Sequence, residues 1–244
     1  MSSINDTKRI LWHEMGHFCV DIQKSIHHKD YYVNELSIKY KTRNDDNIEW
    51  YGLVQMLPTI KWVEIPKDSS FMAYSLISLT SACIFETIYF NNILNESKKL
   101  DDCFGLKNQC LGKGDWNSYH NILSEMRKLH EYIRGKKDVN QFMEIDYVEI
   151  IKEKIDKMVE FQQALVEIIN PLAEKIEKDF LSKDSPSPYC YKISGEALNS
   201  LREEVFKVSN EYGFSTVVSE LRIILIDNYN SFIKKYAQIE PDKI

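Results

Sequence analysis

No long run of lysine or arginine occurs in this 244-residue chain: 31 basic residues are interspersed with 37 acidic ones, for a net charge of −6. Without a concentrated positive field a surface releases few phosphate counterions, so nucleic acid is not an expected partner. The N-terminus MSSINDTKRILWHEM has neither an apolar stretch of signal-peptide length nor a small-residue cleavage site, and cytoplasmic residence is the expectation. No membrane span is expected either. The most apolar stretch, 71–90, approaches spanning length but carries Glu86 and several serines and threonines, which suits a buried helix better than a lipid-facing one. Internal repeats and a phosphate-cradling GxxxxGK[ST] loop are also absent.

Cysteine is sparse. Cys19, Cys83, Cys103, Cys110 and Cys190 make an odd number in a chain too long to need a disulfide framework, so reduced thiols are expected. Cys103 and Cys110 lack the two-residue spacing and second pair of a structural zinc site. With 43% hydrophobic residues the chain has material for one large core or two small ones.

Helical periodicity dominates what is there. A first helix is expected from a cap at Asn5 or Asp6 to about 25, with Leu11, Met15, Phe18 and Ile22 as its core stripe. Residues 35–41 alternate as a half-buried strand; 42–47 read as a loop, and 50–57 as a second strand stopped by Pro58. A buried helix over 69–95, a polar loop over 96–113 and a helix over 115–134 follow. Then come a helix over 146–169, a break at Asn170-Pro171, a helix to about 181, a turn-rich 182–189, and helices over 194–212 and 215–237. The fold class is mainly α (α+β), with one small antiparallel hairpin or sheet near the first helix.

The chemistry centres on His13-Glu14-Met15-Gly16-His17. Two histidines four apart project from one helix face, a turn apart, so both imidazoles can hold a single zinc ion. Glu14 beside them can take a proton from the attacking water while the metal polarises a carbonyl. A catalytic zinc needs a third protein ligand. Gln23 stands where the extended zincin pattern would require histidine, which leaves Glu86 and Asp115 as candidates. His27, His28, His120 and His130 read as ordinary surface histidines, His120 with some prospect of a hydrogen bond near the site.

KRILWHEMGHFCVD resembles the start of the peptidase domain of the FtsH family of zinc metalloproteases, whose signature is similarly His-Glu-Ala-Gly-His. NELSIKY followed by WYGLVQMLP is similar to that family's two strands, and SACIFETIYF to its buried helix of small residues and glutamates. GKGDWNSYHNI resembles the turn and aspartate that supply the family's third ligand, and VEIIKEKIDKMVEFQQALVEIINPLAEKIEKDFL with KISGEAL its helical end. The likeness spans roughly residues 7–205. It implies a helical zinc-peptidase domain over 1–205, Asp115 as third ligand, and Glu86 orienting a ligand; outside it, 206–244 reads as a C-terminal helical extension packed on that domain, whose apolar faces, for example Val217, Leu221, Ile224 and Phe232, are equally suited to a subunit interface. Phe85 stands where the family has the first of two adjacent glutamates. The chain carries no ATPase module, so cleavage of flexible or unfolded polypeptide without attached unfolding is the expectation.

Val54 and Met56, with Trp50, lie on one strand face and are candidates for the edge against which an extended substrate pairs. Two other readings stand beside the peptidase: a catalytically silent zinc-binding interaction module, and hydrolysis of some other amide. A separate ATPase or regulatory protein and a homo-oligomer are partners the sequence leaves open.

Overall fold

The computed structural model describes residues 4–42, 48–105, 112–134, 147–182 and 188–237. Helix α1, Ile4–His27, carries Asp6 in its first turn and Lys24 and His27 in its last, charges that complement the helix dipole. It starts before Asn5 and Asp6, so neither is the cap expected of them; Asp6 acts within the first turn instead. Leu11, Met15, Phe18 and Ile22 are at most 3% exposed, but so are Ile10, Trp12, Cys19 and Val20. The single core stripe is therefore too narrow a description. α1 packs against a second helix, two strands and three later helices, which together bury most of its circumference.

Strands β1, Tyr32–Thr42, and β2, Ile48–Leu57, pair antiparallel with an irregularity between Val33 and Glu35. Thr42 lies in β1; the rest of the expected loop, 43–47, is outside the described residues. A third strand, β3, Tyr189–Ile193, joins the other edge of β1 in antiparallel register, giving the order β2-β1-β3. Its alternation, Tyr189, Tyr191 and Ile193 against exposed Cys190 and Lys192, is regular but only five residues long, too short a signal by itself; Tyr189 is held by Phe180, whose ring lies 5.0 Å away.

A 3₁₀ turn, Trp62–Lys67, precedes α2, Ser69–Ile88, where the Asp68 side chain accepts from the Phe71 amide as N-cap. The helix ends in a π-helical turn, Tyr89–Ile93. This stretch, Ser69–Ile93, is long and apolar enough to cross a membrane, yet 94% of its most apolar window is buried inside the protein, as befits a core helix. The short α3, Leu100–Cys103, lies within the expected loop, of which 106–111, with Cys110, are outside the described residues. Next is α4, Lys113–Arg134.

Helix α5, Tyr147–Ile155, and α6, Val159–Ser182, divide at 156–158, and α6 runs through Pro171 without a break. The expected break at Asn170-Pro171 is thus misplaced. Pro171 removes one intrahelical bond, but buried Ile168, Ile169, Ala173 and Ile176 on either side hold the helix to the core. The end of α5 is instead sealed by Gln162, whose Nε2 donates to the Ile155 carbonyl at 3.1 Å.

The last helices are α7, Gly195–Glu211, and α8, Phe214–Ala237. The 205/206 boundary falls inside α7. Phe214, Val218, Leu221 and Leu225 of α8 are fully buried, and the Phe214 ring stacks on Phe161 at 4.3 Å. This stripe is offset by one residue from the expected Val217 and Ile224, which are half-buried; the side chain of Phe232 is outside the described residues.

α1 and α2 approach most closely at Gly16, where a Cβ would stand 2.6 Å from the Ala82 Cα. Ala in a helix interior is ordinarily more stable than Gly by roughly 0.5–1 kcal/mol. Here Gly16→Ala is expected to destabilise by about 1–3 kcal/mol through overpacking, and urea unfolding of the two proteins checks that reversed sign.

Candidate metal centre

α1 presents His13, Glu14 and His17 toward a cavity of about 460 Å³ bounded by β2, α2 and the start of α4. The imidazoles lie 5.3 Å apart between centroids. Asp115, in the first turn of α4, meets both: its Oδ2 is 2.8 Å from His13 Nε2 and its Oδ1 3.3 Å from His17 Nε2. A carboxylate in a first turn also faces the favourable end of the helix dipole.

α2 holds the two rings from behind. Glu86 Oε2 lies 3.2 Å from His13 Nδ1 and Ser78 Oγ 3.1 Å from His17 Nδ1. Glu86, fully buried, is in turn paired with Arg9, whose guanidinium reaches Oε1 at 2.6 Å. These contacts separate the two sequence candidates. Glu86 and Asp115 sit at opposite nitrogens of one imidazole, so Glu86 is placed to orient His13, and Asp115 stands where both Nε2 atoms converge. With Nδ1–H donating to Glu86, the Nε2 lone pair of His13 is directed at the Asp115 side; the tautomer follows from the partners.

Burial disfavours charge on His13, but Asp115 and Glu86 outweigh it and raise its pKa well above 6.5. His17 is raised in the same way, chiefly by Asp115 once burial is overcome. Asp115, though buried, is held far below the usual carboxylate range by the two histidines. Protons shared between the two imidazoles and Asp115 hold the cluster together; a divalent transition metal would take the place of those protons, with two imidazole nitrogens and a carboxylate oxygen as its donors.

Glu14 is buried beside this cluster, and burial pushes its carboxyl above the ordinary range against the pull of His17 and His13. It accepts a hydrogen bond from the Val54 backbone amide, while Oε2 has no partner. Room for it comes from Gly52, where a Cβ would stand 2.5 Å from Glu14 Oε1. Val54 and Met56 line the cavity with Gly52, whereas the side chain of Trp50 is outside the described residues. β2 is an edge strand of the described sheet.

Cys83 was not among the sequence candidates. Its Sγ lies 3.9 Å from Asp115 Oδ2, and His13, Cys83 and Asp115 offer ligand atoms within 4.8 Å of one another. Its signal was spacing, three residues before Glu86 in the same helix. Arg9, Ser78 and Gly52 were also unforeseen. His120 packs on Trp116 with centroids 4.0 Å apart rather than bonding to the cluster; the side chain of His130 is outside the described residues.

No protein-family model, curated protein or solved structure matches this chain. Its function is therefore argued from the site.

Competitive zinc titration separates the donor sets. His13→Ala, His17→Ala and Asp115→Ala are each expected to lose the metal, Glu86→Gln to weaken it about 10–100-fold, and Cys83→Ala to retain it. Loss in Cys83→Ala with retention in His17→Ala would assign the ion to the His13, Cys83 and Asp115 set instead.

Proposed function

We propose that this chain is a zinc-dependent metallopeptidase of the HExxH type, an endopeptidase acting on flexible or unfolded polypeptide. The observation that carries this reading is the convergence of His13 Nε2 and His17 Nε2 on Asp115, with an unpartnered oxygen of buried Glu14 beside them in an open cleft. His13, His17 and Asp115 would hold one zinc ion, a His₂-carboxylate set that leaves a position open for substrate and water. The metal, when bound, supplies Lewis-acid polarisation of the scissile carbonyl and a lower pKa for water.

The chain's own groups account for the remainder. Glu14 takes the proton of the attacking water and returns it to the departing amine; a carboxyl whose pKa burial has raised is better matched to both steps than an exposed one. The Val54 amide fixes one carboxylate oxygen and leaves the other for the proton. Arg9 and Glu86 keep the His13 ring from turning. The outer edge of β2, which no further strand covers among the described residues, is suited to pairing with an extended chain, a geometry that a folded domain cannot offer. Substrate would thus arrive already unfolded, or be delivered by a separate ATPase or regulatory protein. The resemblance to the FtsH peptidase domain supports the same assignment, and a silent binding module would have no chemical use for Glu14.

Casein cleavage and zinc content test this together. Wild type is expected to carry about one zinc ion and to cleave. Glu14→Gln should keep the ion and lose about 10²–10⁴-fold in rate, and Gly52→Ala should follow it, because a Cβ there displaces the Glu14 carboxylate. Zinc-loaded, folded wild type that cleaves nothing would replace the peptidase reading with that of a binding module.

A further inference from the structure

The cavity continues past the histidines along α1 to two charged residues that the chemistry above does not use. His13, His17, Asp21 and Lys24 follow at intervals of four, four and three, so all share one helix face. All four line the cavity. Lys24 lies about 10 Å beyond His17 along the axis, seven residues at roughly 1.5 Å each. Phe71 stands at its end of the cavity with Tyr31 packed on it, and Ile65 and Leu79 add further apolar lining.

Lys24 is 6% exposed, an unusual position for an ammonium group. Its Nζ donates to Ser75 Oγ at 3.1 Å and lies 3.5 Å from the centroid of the Phe71 ring. Ser75 spends its own proton on the Phe71 carbonyl. Among the described residues no carboxylate comes within ion-pairing distance of Nζ; Asp21 and Asp68 act on it only at longer range. An ammonium has three donors, and one oxygen acceptor plus a ring face leaves it undersupplied. Burial lowers its pKa to about 8, so it is still mainly protonated at neutral pH. Asp21 is hydrogen-bonded by Ser78, and burial pushes its carboxyl up, which weakens its claim on the lysine charge.

We propose that Lys24 is the floor of a specificity pocket that takes a carboxylate of the substrate, carried on a side chain beside the scissile bond or on a C-terminus a few residues beyond it. The proposal rests on the peptidase reading for its position in a substrate path, but the pocket itself stands on its own residues. A charge-assisted hydrogen bond from a buried ammonium to an entering carboxylate is among the stronger available, and the apolar walls select a chain that carries its charge at the tip. At about 3.5 Å of backbone per residue, a glutamate side chain adjacent to the cut, or a C-terminal carboxylate a few residues on, spans the distance to Lys24.

A random decapeptide library, with free or amidated C-termini, tests this in two ways. Peptides retained by zinc-loaded Glu14→Gln are sequenced, and bonds cut by wild type are mapped by mass spectrometry. Enrichment of Glu and Asp over Gln and Asn by about tenfold or more at one position is the expected result for a side-chain carboxylate. Retention that depends on a free C-terminus, with cuts at a fixed distance from it, is the expected result for a terminal one. Either preference should vanish in Lys24→Met. Equal retention of acidic and amide residues with no dependence on the C-terminus, no retention at all, or a preference that survives Lys24→Met overturns the pocket. Selective retention without any cleavage by wild type would instead overturn the peptidase reading and leave the pocket standing.

Discussion

The close pairing of α1 with α2 is the constraint on which the site depends. Gly16 removes the one side chain that would keep the helices apart at Ala82, and contact is then made at every turn in the antiparallel sense. Arg9 and His13 meet Glu86, His17 meets Ser78, and Lys24 meets Ser75. His13, His17 and Lys24 are thus each held by a polar group of α2. Ring orientation, which a lone helix leaves to rotamer choice, becomes a property of helix packing. A shift of α2 by a fraction of a turn would release both imidazoles together.

The same pairing buries an unusual amount of charge. Glu86 is fully buried, and His13, Glu14, Asp21 and Lys24 are each close to it. Ion pairs of this kind contribute little net stability, because desolvation offsets most of the attraction, yet removing one partner strands the other at high cost. The stability of the chain comes from elsewhere, from the apolar cluster around Phe85, Phe161 and Phe214 whose rings pack edge-to-face and stacked. The fold separates the two tasks: one face of α2 joins the aromatic core and the other carries Ser75, Ser78, Ala82 and Glu86 toward α1. A helix apolar nearly all round therefore contains a narrow stripe of small and polar residues, and that stripe is where it meets the histidines and Lys24 of α1.

β2 contributes in a different way. Its backbone, not its side chains, meets Glu14, through the Val54 amide and the empty space over Gly52. Backbone donors are rigid and cannot be deprotonated, so a carboxylate held by one keeps its position while its charge changes. Beyond the end of this strand the chain continues into the cavity wall at Pro58, Thr59 and Ile60.

How much of this was legible depends on how local the signal is. The spacing of His13, Glu14 and His17 is a local fact, since any helix through them places both imidazoles on one face; the period-two alternation of β1 and β2 and the apolar length of α2 are equally local. Those features were determined by sequence alone. Spacing alone left Asp115 and Glu86 both open, since each is a single acidic residue far along the chain; the resemblance favoured Asp115, and their positions at opposite nitrogens of His13 came only with the packing of the helices. Cys83, Arg9, Ser78 and the space at Gly52 became meaningful only when α2 and β2 were brought against α1. β3 and the break between α5 and α6 escaped for a related reason: only five alternating residues become a strand by finding the edge of β1, and Gln162 seals α5 from across a turn. Sequence specifies which residues one element presents, whereas which of them meet is set by packing between elements distant in the chain, where desolvation and close approach decide the outcome.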